Sequence, residues 1–139
     1  WNVLLVVLAL FCGALVMMPI EAINNRIYPL PEGLSTQDME GMRKHIATLP
    51  TSAFILVWVS HFTGPLVATF LAARFAAYRS LIPASVIGVF YLITGVMVSL
   101  MLGATLFFVV IDWPLYPLAT LLGITLGRQR GAPAVTAPA

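Results

Sequence analysis

The 139 residues are 60% hydrophobic and only 9% charged, with a mean hydropathy of +1.00. Soluble domains are about a quarter charged, so this composition excludes a water-soluble globular enzyme and points to an all-α, polytopic transmembrane helix bundle. The net charge of +2 comes from basic residues scattered singly or in pairs, which offers nucleic acid no dense basic face to bind.

Four spans of about 20 residues plus one loop account for nearly the whole length, so residues 1–130 read as a single transmembrane domain. Position 1 is Trp1 rather than Met, so a missing or processed N-terminus is expected. Residues 1–20 form the first span, too long for a signal-peptide apolar region and without a small-residue cleavage site after it. Cys12 lies inside this run and, as the single cysteine, forms no intrachain disulfide. Glu21, Asn24, Asn25 and Arg26 mark the exit from hydrocarbon, and Pro19 is placed to kink the last turn.

The loop 21–51 is expected to carry an outer, interfacial amphipathic helix. Ser35 or Thr36 is a hydroxyl N-cap, Asp38 and Glu40 follow in the first turn, and Arg43, Lys44 and His45 come near the end, an order that suits the helix dipole. Met39, Met42, Ile46 and Leu49 recur at helical spacing, giving one apolar face for the membrane. His45 reads as a solvated helix-end residue. Pro50 ends the segment.

The second span is 52–77, with Gly64-Pro65 as a bend. The short connection 78–83 makes the third span, 84–111, an antiparallel neighbour of about 42 Å that must tilt or protrude. Asp112-Trp113-Pro114 reads as a second outer turn with Asp112 as N-cap and with Trp113 and Tyr116 as interfacial aromatics. The last span, 113–127, is short for a crossing, and a re-entrant hairpin competes with it. Residues 131–139 read as a disordered Ala/Pro tail.

Arg74 and Arg79 flank the second connection, and Arg128 and Arg130 follow the last span. The positive-inside tendency therefore places both termini in the cytoplasm and the loop 21–51 in the periplasm of a bacterial inner membrane. Arg26, Arg43 and Lys44 oppose that assignment and are offset by Glu32, Asp38 and Glu40.

Small residues recur at four-residue spacing, the pattern that lets helix backbones approach closely in lipid. The second span carries Ser60, Gly64, Ala68, Ala72 and Ala76; the third carries Gly88, then Gly95, Ser99 and Gly103; the fourth carries Gly123. These stripes serve packing within the chain or docking of a neighbouring protein helix.

Ionisable groups deep in a membrane are costly and are functional candidates by default. His61, about nine residues into its span, is the strongly polar group at depth. Its imidazole can hydrogen-bond Ser60, Thr94 or Ser99, ligate a metal or a tetrapyrrole pigment or haem, or relay a proton. Glu21 and Asp112 read as helix-end carboxylates, and with His61 they would form a proton or cation path if the fold brought them together. No Ser/His/Asp set, zinc-ligand spacing or phosphate loop is present, so neither catalysis nor a metal site is expected.

The stretch Ile23–Pro50, with IYPLPEGL and IATLP, resembles small hypothetical four-span bacterial membrane proteins with no known activity. Arg74 and Arg79, Asp112 with Pro114-Leu115-Tyr116, and the closing Gly-Arg-Gln-Arg continue the resemblance over most of the chain. It implies a bacterial origin and four spans, and no functional residue. The leading expectation is a non-catalytic accessory or scaffold subunit of a larger membrane complex, energy-transducing or photosynthetic, with other transmembrane subunits and bound lipid as partners. The alternative is a small homo-oligomeric transporter or channel for protons or small solutes.

Overall fold

A computed structural model describes residues 2–77 and 80–129; the expectations for Trp1, Tyr78, Arg79, Arg130 and the tail fall outside these. Five helices follow one another: α1 (Asn2–Ile27), α2 (Met39–Thr48), α3 (Ala53–Phe75), α4 (Ile82–Met101) and α5 (Leu106–Gln129), and the described residues contain no strand. All but α2 are long and apolar enough to cross a membrane, so the chain is a multi-pass membrane protein.

The long helices form because hydrocarbon supplies no water to satisfy a free backbone group, so each segment must close its own hydrogen bonds. That demand overrides several local stop signals. Proline is tolerated inside α1 (Pro19), α3 (Pro65) and α5 (Pro114 and Pro117). The helix α1 therefore runs seven residues beyond the expected end at residue 20, carrying Glu21 and Asn24 on its last turns. In α2 the N-cap is Asp38, whose Oδ1 accepts from the Gly41 N–H at 2.9 Å, and not Ser35 or Thr36. Ser35 instead closes the preceding turn, its Oγ accepting from the Gln37 N–H at 3.2 Å.

The third and fourth spans divide differently from the expectation. The chain leaves α4 after Met101 and turns through Gly103, which adopts φ +64°, before α5 begins at Leu106. A left-handed residue ends a helix at little cost only when it has no Cβ, so Gly103 is a turn residue and not part of a packing stripe. The fourth span, α5, is consequently 24 residues long and not short, about 36 Å. Asp112, expected at an outer turn, lies inside α5.

Short connections make α3, α4 and α5 alternate in direction. The ends of α1 and α4 and the starts of α3 and α5 thus gather beside α2, at the α2 end of the bundle. Helix α3 is central, packing most extensively on α5 and α1 and less on α4. Its face Ser60, Gly64, Ala68 and Ala72 is buried within the chain, as are Gly88, Ser99 and Gly123 on the helices around it. Each glycine is a notch for a particular neighbour. A Cβ on Gly123 would strike Thr69 Oγ1, the Leu66 carbonyl and the Phe70 amide; one on Gly88 would strike Thr120; one on Gly95 would strike the ring of Tyr116. The outward faces of α1 (Val3, Val7, Phe11) and α4 (Val86, Phe90, Met97) expose large apolar side chains, as helices facing lipid do.

The neighbours of these notches differ in how far they can yield. At Gly123 two of them are backbone, whereas at Gly64 the nearest is the flexible side chain of Met17. Gly123→Ala is expected to lower stability by about 1–3 kcal/mol, the usual cost of overpacking, and Gly64→Ala by less. Thermal unfolding in detergent, with Leu121→Ala on the exposed face of α5 as reference, checks this order.

Candidate functional site

The i, i+4 spacing of Asp112 and Tyr116 places both on one face of α5, and that face turns toward α3. His61 meets them from α3, nine residues in from its start and about 12 Å along its axis. Asp112 is wholly buried, with its Oδ1 2.7 Å from His61 Nδ1, and the Tyr116 hydroxyl lies 2.9 Å from the same nitrogen. The Tyr116 ring packs against the imidazole at a centroid distance of 5.6 Å and occupies the notch at Gly95. His61 therefore bonds neither Ser60 nor Thr94 nor Ser99. Ser60 Oγ donates to Glu21 Oε1 at 3.1 Å, and Ser99 Oγ accepts from Trp113 Nε1 at 3.0 Å.

One ring nitrogen facing two oxygens limits where a proton can sit. With the carboxylate ionised, Nδ1 carries the hydrogen and donates to Asp112. With the carboxyl protonated, Nδ1 becomes an acceptor for Asp112 or Tyr116. His61 Nε2 makes no hydrogen bond among the described residues, and the side chain keeps 21% of its surface exposed. The second carboxylate oxygen, Asp112 Oδ2, is buried without a hydrogen-bond partner among the described residues. A carboxylate held this way is expensive, by several kcal/mol in a low-dielectric interior, which makes Asp112 a candidate for function.

His61 also lines a cavity of about 380 Å³ at the α2 end. Glu21, Asn24 and Asn25 contribute from α1, Ala53, Phe54 and Val57 from α3, and Gly95, Val98 and Ser99 from α4. Thr105 and Phe108 close the side nearest α5, and Met42, Ile46 and Leu49 of α2 complete the wall. Helix α2 is held there by Arg43, whose Nε donates to the Met101 carbonyl at 2.7 Å, a cation placed on the C-terminal end of α4. The Tyr28 hydroxyl and Ser52 Oγ, 2.8 Å apart, tie the end of α1 to the start of α3.

The fold thus brings together the three ionisable residues singled out in the sequence: His61 contacts Asp112, and Glu21 shares the cavity with His61. Tyr116 is the member that sequence reasoning missed. Its spacing from Asp112 was the available signal, obscured by reading Asp112 as a turn residue. Among the described residues no group of three His, Cys, Asp or Glu side chains is placed to hold a metal ion.

Removing the partner of a buried carboxylate strands its charge, at a cost of about 3–5 kcal/mol when the group is ionised. His61→Ala is accordingly expected to destabilise the protein more than the double variant His61→Ala/Asp112→Ala does. Unfolding of the wild type, both single variants and the double variant in one detergent gives the coupling directly. Comparison with known proteins adds no relative to this geometry: no protein-family model, curated protein or solved structure matches the chain.

Proposed function

We propose that the protein is a small membrane carrier that exchanges a proton through His61 and Asp112 with the compartment at its α2 end. The buried Asp112–His61–Tyr116 cluster, adjoining a cavity through His61, carries this reading. A proton arriving from the cavity binds Nε2 of the neutral imidazole, and the proton on Nδ1 passes to Asp112 Oδ1. The product is a neutral imidazole of the opposite tautomer beside a neutral carboxylic acid, so the site gains one proton and loses its negative charge. Tyr116, within reach of Nδ1, steadies either form.

Beyond the cluster the bundle is closed where Thr120 fills the notch at Gly88 and Thr69 the notch at Gly123. Transit to the other side requires these contacts to part, as in carriers whose site opens to one face at a time. The positive-inside tendency of Arg74 and Arg128 assigns that far face to the cytoplasm of a bacterial inner membrane. The segment containing α2 is then periplasmic, with its half-buried Met39 at the membrane surface and Lys44 in water. An accessory-subunit role draws less support, because the small-residue stripes that would dock a partner helix are packed within the chain.

Purified protein in vesicles containing a pH-sensitive dye tests the proposal. Under an imposed pH gradient the wild type should dissipate it faster than empty vesicles. Asp112→Asn and His61→Ala should each slow that rate by at least about tenfold, at the low end for loss of a proton-transfer group. Equal rates for wild type and Asp112→Asn would rule the proposal out.

A further inference from the structure

The same cavity also constrains what it can hold, and we infer that its ligand is an amphiphilic ammonium: one apolar chain or ring carrying a single protonated amine. This deepens the carrier reading and rests on it. The volume of about 380 Å³ lies at the small end of ligand sites, which span about 300–1,000 Å³. Most of the wall is apolar, built by Met42, Ile46 and Leu49 of α2 facing Phe54, Val98 and Phe108. An aliphatic or single-ring body fits such a wall and a strongly hydrated ion does not.

The polar groups select the sign of the head. Glu21 is the carboxylate of the lining, and no Lys or Arg lines the cavity. Of the nearby cations, Arg43 is held at the Met101 carbonyl, Lys44 lies 2.7 Å from Glu40, and Arg26 sits on the last turn of α1, outside the lining. Ser60 occupies Oε1 of Glu21, while Oε2 has no hydrogen bond among the described residues. Behind His61 stands Asp112 with its unpaired buried oxygen, and with that carboxylate ionised the field at the floor is negative. An anionic head would meet Glu21 with no cation in the lining itself, and a neutral head would forgo the charge-assisted hydrogen bond that Glu21 offers. An ammonium at Glu21 satisfies both constraints. It also supplies a physical link to the proton, because a cation in the cavity and a proton on the His61–Asp112 pair oppose each other through a low-dielectric gap.

Octylamine, octanol and octanoate share one chain and differ in the charge of the head, which makes them the probes. The full chain in lipid nanodiscs, labelled with nitrogen-15 at histidine, reports occupancy through the ring resonances of His61, with His45 as the internal reference. Octylamine at neutral pH should shift His61 saturably and leave His45 in place, and Glu21→Gln should weaken that binding by about tenfold. Octanol and octanoate should give no saturable shift. Saturation by octanol with an affinity equal to that of octylamine, or tighter binding of octanoate, would overturn the inference. Proton flux that depends on Asp112 in a protein blind to octylamine removes the ligand class and leaves the carrier standing. Octylamine binding in a protein without proton flux removes the carrier and keeps the ligand.

Discussion

Lipid gives helices no hydrophobic reason to associate, so a bundle in a membrane holds together through close backbone approach, van der Waals contact and the polar groups that such approach buries. In this protein the approach is concentrated on α3. Its small face brings α1 near on one side and α5 near on the other, with Gly13, Gly64 and Gly123 providing the notches. Everything chemical follows from that closeness. His61 and Asp112 come from different helices, and a 2.7 Å separation between their side chains requires α3 and α5 to be held close along their length.

The small residues therefore serve the site as well as the fold. Gly95 leaves room for the ring of Tyr116 and so sets the distance from its hydroxyl to His61. Ser60 and Ser99 lie on the same packing stripes, and both have polar partners near the cavity, Glu21 and Trp113. A polar residue at such a position packs like a small one and adds a hydrogen bond in a medium where an unpaired group is costly. The same economy explains why a membrane bundle of this size can hold a buried carboxylate: helices already in close contact exclude lipid from around it, and a histidine and a tyrosine shield one oxygen.

Helix α2 gives the cavity its asymmetry. It is joined to the four long helices through side chains such as Arg43 more than through backbone packing, and its apolar residues wall one side of the space beside His61. The opposite end of the bundle has no comparable element among the described residues, and the notches at Gly88 and Gly123 close the path toward it. The His61–Asp112 pair thus adjoins a cavity at one end of the bundle.

Four apolar stretches, a polar loop with an amphipathic helix, and the small-residue face of α3 were all legible in the residues, because composition and periodicity in a membrane follow directly from the solvent. His61 was legible as the polar group at depth for the same reason. The boundary between α4 and α5 was not. Asp112-Trp113-Pro114 carries the local chemistry of a helix start, while the residue that ends α4 is Gly103, one glycine among several in apolar sequence. Local propensity favoured the polar turn; keeping α5 long enough to cross favoured the earlier one, which leaves Asp112 inside the helix and buried against His61. Only the tertiary structure could decide, because the partner that makes a buried aspartate tolerable lies 51 residues away. The sequence by itself determined that this protein lives in a membrane and which of its helix faces are small. The meeting of Asp112, His61 and Tyr116 beside one cavity belongs to the packing.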